Sequence, residues 1–240
     1  FMAGAAELAG VAVLVRVFLL GLPALQADWS LLLWVLAVLS MTIGNLVAIA
    51  QANLKRMLAY STIAQMGYLL IGPVVGSQLG VAAVLFYSLV YALMTIGAFG
   101  MVILLQHGTV RGDQIDDFTG LAQKSPLAAA IMLVFLLSLT GIPPTAGFVG
   151  KFYLFGAAVE AGYIWLVLIA VVNSAISLFY YMRVVMVMYM RDLPPQGIAL
   201  GQSSALRIAI LFAVAGTLLL GIFPGLVLDF ARASAAGIIG

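Results

Sequence analysis

Lys151 stands in an apolar run, Thr140-Gly-Ile-Pro-Pro-Thr-Ala-Gly-Phe-Val-Gly-Lys151-Phe-Tyr, four residues after Gly147. An ammonium at bilayer depth costs roughly 2.5–3.5 kcal/mol on insertion scales, and it is tolerated where it faces a bundle interior or a hydrated cavity. There it marks an ion or proton path, because a buried lysine, unlike arginine, can exchange its proton. The competing reading is a fixed counter-charge to the carbonyl end of a broken helix. Pro143-Pro144 supplies such a break, since proline lacks the N–H and clashes with the preceding turn. A broken helix beside a buried charge is the pattern of a transporter core.

Three more charges resist placement in a loop: Glu7, Arg16 and Glu160. Glu7 is flanked by small residues (Ala3, Gly4, Ala5, Ala6, Ala9, Gly10) that allow close helix approach. It reads as a protonatable group in a polar axis or as an interfacial residue. Arg16 reads as snorkelling to the outer interface or pairing locally. Glu160, near the outer end of the lysine's half-helix, is either an exit-side carboxylate or an interfacial residue.

Polar groups recur inside two other apolar spans. Tyr60-Ser61-Thr62-Ile63-Ala64-Gln65 follows the basic pair Lys55-Arg56, whose own placement topology alone explains. Ser61 and Gln65, four apart, share a helix face and could hold water in a proton wire. Asn173, Ser174 and Ser177, followed by Tyr180 and Tyr181, do the same further on. Ordinary interhelical hydrogen bonding accounts for either set equally well.

These groups need a scaffold, and composition names it. Of 240 residues, 65% are hydrophobic and 8% charged, with mean hydropathy +1.23. The class is an all-α polytopic membrane protein, read as a single transmembrane domain over residues 1–240. The absence of cysteine excludes thiolate-held zinc and ordinary iron–sulfur ligation, and the lone His107 argues against a haem or metal site. Nucleotide-binding, nucleophile-triad and metal-ligand patterns are absent, and no nucleic-acid partner is expected. Phe1 opens directly into an apolar helix without a basic leader, which predicts that an earlier part of the chain is missing.

Hydropathy predicts seven spans: 1–22, 30–50, 55–75, 79–106, 125–160, 163–190 and 205–227. The fifth, about 36 residues or ~54 Å as one helix, is too long for a single crossing. A break within 140–147 divides it into half-helices at 125–139 and 147–160. Unwound backbone at that depth must be buried in protein or line water. Lys55 and Arg56, then Arg111 and Lys124, then Arg191 and Arg207 fall at alternate connections. The others, around Asp28, Gly76–Gly80 and Glu160, carry no lysine or arginine. The positive-inside rule places the basic connections in the cytoplasm and the C-terminus outside. The long 106–124 connection, acidic at Asp113, Asp116 and Asp117, reads as surface.

Two strings then carry a resemblance. Gly44-Asn-Leu-Val-Ala-Ile-Ala-Gln-Ala-Asn-Leu-Lys-Arg-Met-Leu-Ala-Tyr-Ser-Thr-Ile-Ala-Gln-Met-Gly-Tyr68 resembles a hallmark of the antiporter-like subunits of respiratory complex I. Leu136-Leu-Ser-Leu-Thr-Gly-Ile-Pro-Pro-Thr-Ala-Gly-Phe-Val-Gly-Lys-Phe-Tyr153 is similar to their broken helix with its lysine. Asn173-Ser-Ala-Ile-Ser-Leu-Phe-Tyr-Tyr-Met-Arg183 points to the subunit N family of bacterial NADH–quinone oxidoreductase.

The resemblance implies a fourteen-helix fold of two inverted five-helix repeats, of which this chain matches helices 8 to 14. It also implies a proton-translocating role in the bacterial inner membrane beside other membrane-arm subunits. NADH, FMN, iron–sulfur clusters and quinone would be handled at other subunits, with no cofactor in this chain. Lys151 and Glu7 would relay protons, with Gln65, Ser61, Tyr60, Lys55 and Glu160 along the path and the tyrosines and serines holding water. Two positions depart from the pattern. Glu7 stands where the family carries a lysine, and Gln65 where many members carry a histidine. A Glu7–Lys151 ion pair or an acidic relay becomes an option. The alternatives to complex I are a multisubunit Na⁺/H⁺ antiporter subunit and a membrane-hydrogenase subunit of the same fold.

Overall fold

Apolar runs of this length have one local way to satisfy their backbone in lipid, the helix. The computed structural model describes residues 6–105, 113–193, 201 and 203–239, and among these every long element is helical. His107 and Arg111 lie outside the described residues.

The chain opens with α1 (Glu7–Val15), which widens into π-type turns over Arg16–Gly21. α2 (Gln26–Ile49), α3 (Leu54–Val75) and α4 (Gln78–Leu105) follow. A 3-10 turn at Ile115–Phe118 and α5 (Leu121–Lys124) lead into α6 (Pro126–Thr140) and α7 (Ala146–Glu160). The chain then runs through α8 (Ile164–Met190), α9 (Ser204–Ile222) and α10 (Gly225–Ile239). Five stretches are long and apolar enough to cross a membrane: Pro23–Ile49, Leu54–Val75, Gln78–Leu105, Ile164–Met190 and Ser204–Ile222.

α3 and α4 form the centre, where Met57, Tyr68, Phe86, Tyr87 and Met94 are buried. α4 packs on α3, α6, α7, α9 and α10. α2, α8 and α9 turn Leu31, Trp165, Phe179 and Phe212 outward, a dress suited to lipid. Helix starts carry their caps. Asn53 accepts from the Arg56 N–H at 3.0 Å ahead of α3, and Pro126 opens α6, where its missing N–H costs nothing.

One face gathers the basic connections. The Leu54 N–H donates to the Asp113 carbonyl and the Ile115 N–H to that of Ala52, tying the α2–α3 turn to the connection after α4. The Gly120 N–H reaches the Val187 carbonyl, and Arg191 pairs with Asp116 at 2.8 Å, which brings the end of α8 to the same face.

Several elements differ from expectation. Asp28 sits in the first turn of α2, not in a connection before it. The stretch expected as a surface loop buries Ile115, Phe118 and Leu121. The last span ends at Ile222, and a separate helix follows Phe223-Pro224. α10 was hidden because Asp229 and Arg232 lower its hydropathy. Its buried residues, Leu228, Ala231 and Ala235, are spaced three and four apart, the stripe of an amphipathic helix.

Candidate functional site

The site begins with two amides that proline removes. In a continuous helix the carbonyls of Leu139 and Thr140 would accept from residues 143 and 144, but both are proline and have no N–H. α6 ends at Thr140 with Gly141 in the left-handed region at φ 92°, which glycine adopts without Cβ strain. The N–H groups of Gly141 and Ile142 both turn back to the Leu137 carbonyl at 3.0 Å. The Leu139 and Thr140 carbonyls are left facing inward, at the negative end of the α6 dipole.

Lys151, in the second turn of α7, fills that vacancy. Its Nζ donates to the Leu139 carbonyl at 3.0 Å, the Thr140 carbonyl at 2.9 Å and the Ser174 Oγ at 3.1 Å. The three donors of the ammonium are thereby used. The Tyr68 ring lies 4.5 Å from Nζ, a cation–π contact, and the side chain is 3% exposed. α7 is held against α6 by Ser138, whose Oγ accepts from the Gly147 N–H at 3.0 Å. Gly147 is required there because a Cβ would fall on the Ser138 carbonyl.

Gln65 joins the same centre. Its Nε2 donates to the Leu139 carbonyl at 3.0 Å, and its Oε1 accepts from the Tyr87 hydroxyl at 2.5 Å. Ser61, on the same face of α3, is buried and spends its proton on the Leu58 carbonyl at 2.7 Å. On α8, Ser174 donates to the Thr140 carbonyl at 2.8 Å, and Ser177 donates to that of Ser174. Buried Asn45 accepts from the Tyr180 hydroxyl at 2.9 Å and donates to Asn173.

The remaining expected residues lie further out. Glu7 is half-buried against Tyr91, and its Oε2 meets no hydrogen-bond partner among the described residues. The ion pairs among the described residues are Arg191–Asp116 and Arg232–Asp229, so the Glu7–Lys151 pair is not formed. Two carbonyls and Ser174 satisfy the ammonium's hydrogen bonds instead. Arg16 is exposed in the π-type turns. Lys55 is half-buried in the first turn of α3, and Tyr60 is half-buried where α2 crosses α3. Glu160 is exposed at the end of α7, at one end of a cavity of about 580 Å³ that reaches Lys151 and Ser174 between α7 and α8.

Sequence reading passed over Tyr87, Tyr91 and Asn45. The tyrosines are four apart on one face of α4, and Tyr91 donates to Thr62 Oγ1 at 2.7 Å, a spacing that could have flagged them.

Residues 1–177 match the family model described as NADH:quinone oxidoreductase/Mrp antiporter, transmembrane. The chain belongs to that family. Among its relatives, subunit N of NADH-quinone oxidoreductase from Trichlorobacter lovleyi is 47% identical over 232 residues, covering 97% of this chain and 48% of the relative. The subunit N of Coxiella burnetii is 44% identical over 225 residues, covering 94% and 47%. The chain thus spans about half the length of the relatives it matches. A chain of Thermus thermophilus respiratory complex I with bound NADH superposes with a TM-score of 0.81 at 28% identity, over 99% of this chain and 52% of that one. A chain of the Mrp complex from a Dietzia species shares the fold, with a TM-score of 0.85 at 23% identity over 95% and 51%.

Proposed function

We propose that this chain forms part of a proton-translocating subunit in the membrane arm of a bacterial NADH–quinone oxidoreductase. The observation that carries the reading is the Lys151 ammonium, buried at a helix interruption and held by two carbonyls that Pro143 and Pro144 leave free. A lysine held this way is retained by weak, replaceable bonds and not by a carboxylate, so it can lose a proton without stranding a partner charge. Electrons run through other subunits, and this one moves protons along a polar axis.

In that axis Lys151 is the switchable site, Glu7 beside Tyr91 a second protonatable position, and Gln65 and Ser61 inner positions. Tyr60 and Lys55 lie toward the basic face, and Glu160 toward the opposite end. Seven crossings follow if α6 with α7 count as one interrupted span and α1 with its π-type turns as another, with α9 as the last. The positive-inside rule puts the basic face in the cytoplasm of the inner membrane and the C-terminus outside. The partners are the neighbouring membrane-arm subunits.

The test uses the full subunit in its assembled complex, in sealed inverted vesicles. Lys151→Met keeps the volume and removes the charge. The complex should assemble, while NADH-driven acidification collapses. Sodium transport in place of acidification would instead favour the antiporter reading, and unimpaired acidification would end the proposal.

A further inference from the structure

α6 begins Ser125-Pro-Leu-Ala-Ala129 and α9 begins Ser203-Ser-Ala-Leu-Arg207, short polar starts that run into apolar turns. α9 lies close on α4, where a Cβ added at Gly100 would meet the Ile210 side chain at 2.9 Å. Toward α6 the fit is open, because Ala128 presents only a methyl group there. The result is a groove of about 320 Å³ between the end of α4 and the first turns of α6 and α9. Met101, Leu104, Ala128 and Ile210, all buried, form its floor, and the exposed Leu127 and Leu211 form an open apolar rim.

One end of the groove is polar. Ser125 and Arg207 line it, and Lys124 precedes Ser125 in the chain. Arg207 donates one N–H to the Gly201 carbonyl at 3.1 Å, and its remaining N–H groups make no hydrogen bond among the described residues. Neither Arg207 nor Lys124 belongs to an ion pair among those residues, and both are exposed. From this end the apolar walls continue to Ile131, a rise of about 9 Å along α6.

Those dimensions decide the kind of occupant. A helix, about 10–12 Å across with its side chains, is too wide for the groove, whereas a single acyl chain is not. The planar donors of arginine suit a phosphate, and basic pockets between transmembrane helices bind anionic lipid headgroups. The side opening past Leu127 and Leu211 gives access from the bilayer.

We infer that this groove holds one anionic phospholipid, with its phosphodiester against Arg207 and Lys124 and one acyl chain between α4, α6 and α9. The phosphate accepts from the guanidinium N–H groups that Gly201 does not use. The chain fills the width that Ala128 leaves, and so seats the first turns of α9 on the bundle. The inference goes beyond the proton-translocation reading and is independent of it, since it requires only α4, α6 and α9 in a bilayer.

Photolabelling of the assembled complex tests the site. The probe is phosphatidylglycerol with a diazirine on one acyl chain, and labelled peptides are mapped by mass spectrometry. Label should fall on the segments holding Leu127 and Leu211. Unlabelled phosphatidylglycerol should displace it severalfold better than phosphatidylcholine, and glycerol 3-phosphate, a head without chains, should not displace it. Arg207→Gln with Lys124→Gln should lower labelling severalfold, while Arg207→Lys with Lys124→Arg, which keeps both charges, should retain it. Should the glutamine pair fail to assemble, the competition in the parent complex decides alone. Equal displacement by phosphatidylcholine would make the groove part of the ordinary lipid annulus, and displacement by glycerol 3-phosphate would make it a site for soluble phosphates; either overturns the inference. Absence of label from both segments, or undiminished label in an assembled glutamine pair, overturns it as well.

Discussion

Gln65 and Lys151 donate to the same oxygen, the Leu139 carbonyl, each at 3.0 Å. One backbone acceptor thus couples the polar face of α3 to the ammonium on α7. Its two lone pairs are both used, so neither donor can withdraw without changing the other's surroundings.

Gln65→Leu therefore should do more than remove one hydrogen bond. It leaves the Tyr87 hydroxyl buried without its acceptor, a loss of about 1–3 kcal/mol for an unsatisfied polar group. The expected outcome is a lower unfolding temperature of the isolated complex together with reduced pumping. Gln65→Leu accompanied by Tyr87→Phe should recover much of the stability, because both partners are then apolar, while pumping stays impaired. Equal stability of the single and double variants would show that the Tyr87–Gln65 bond is not formed.

Gly147→Ala should prevent assembly. A Cβ at this position lands on the Ser138 carbonyl, and backbone cannot yield as a flexible side chain can. α7 would be pushed off α6 and Lys151 withdrawn from its carbonyls. Immunoblotting of membranes for the assembled complex measures this directly. Gly156→Ala on the same helix, where a Cβ meets nothing within 4 Å, should assemble normally.

Asp116→Ala should change little. Its ion pair with Arg191 is short, but the side chains are 58% (Arg191) and 80% (Asp116) exposed, and pairs of that kind contribute roughly 0–1 kcal/mol. Thermal unfolding of the variant should match the parent closely, and the residual difference should shrink in high salt.

The topology can be read by labelling, since the chain has no cysteine. Lys55→Cys and Arg191→Cys should react with a membrane-impermeant maleimide in inverted vesicles, and Ser77→Cys and Asp229→Cys in right-side-out cells. A member of either pair labelled from the wrong side would overturn the seven-crossing arrangement.

The helical class was legible in composition, because 65% hydrophobic residues in long runs leave lipid-exposed backbone no other local solution. α10 was not, since Asp229 and Arg232 sit on its outer side and mask the stripe of Leu228, Ala231 and Ala235. At the site, the rarity of a lysine in an apolar span drew attention to Lys151, but its partners were hidden for a physical reason. Two of the three are backbone carbonyls of Leu139 and Thr140, and side-chain identity says nothing of them. The doublet Pro143-Pro144 was the available signal, read as a helix break and not as the freeing of two acceptors. The option of a Glu7–Lys151 pair failed because those carbonyls already satisfy the ammonium.

The central claim is that Lys151 changes its protonation during turnover, and Lys151→Arg tests it most directly. Arginine keeps a positive charge and donors for the same carbonyls, but its guanidinium does not release a proton in proteins. NADH-driven proton pumping by the assembled complex should be as low in Lys151→Arg as in Lys151→Met, with assembly preserved. Pumping at the parental rate in Lys151→Arg would contradict the account and leave Lys151 as a fixed charge.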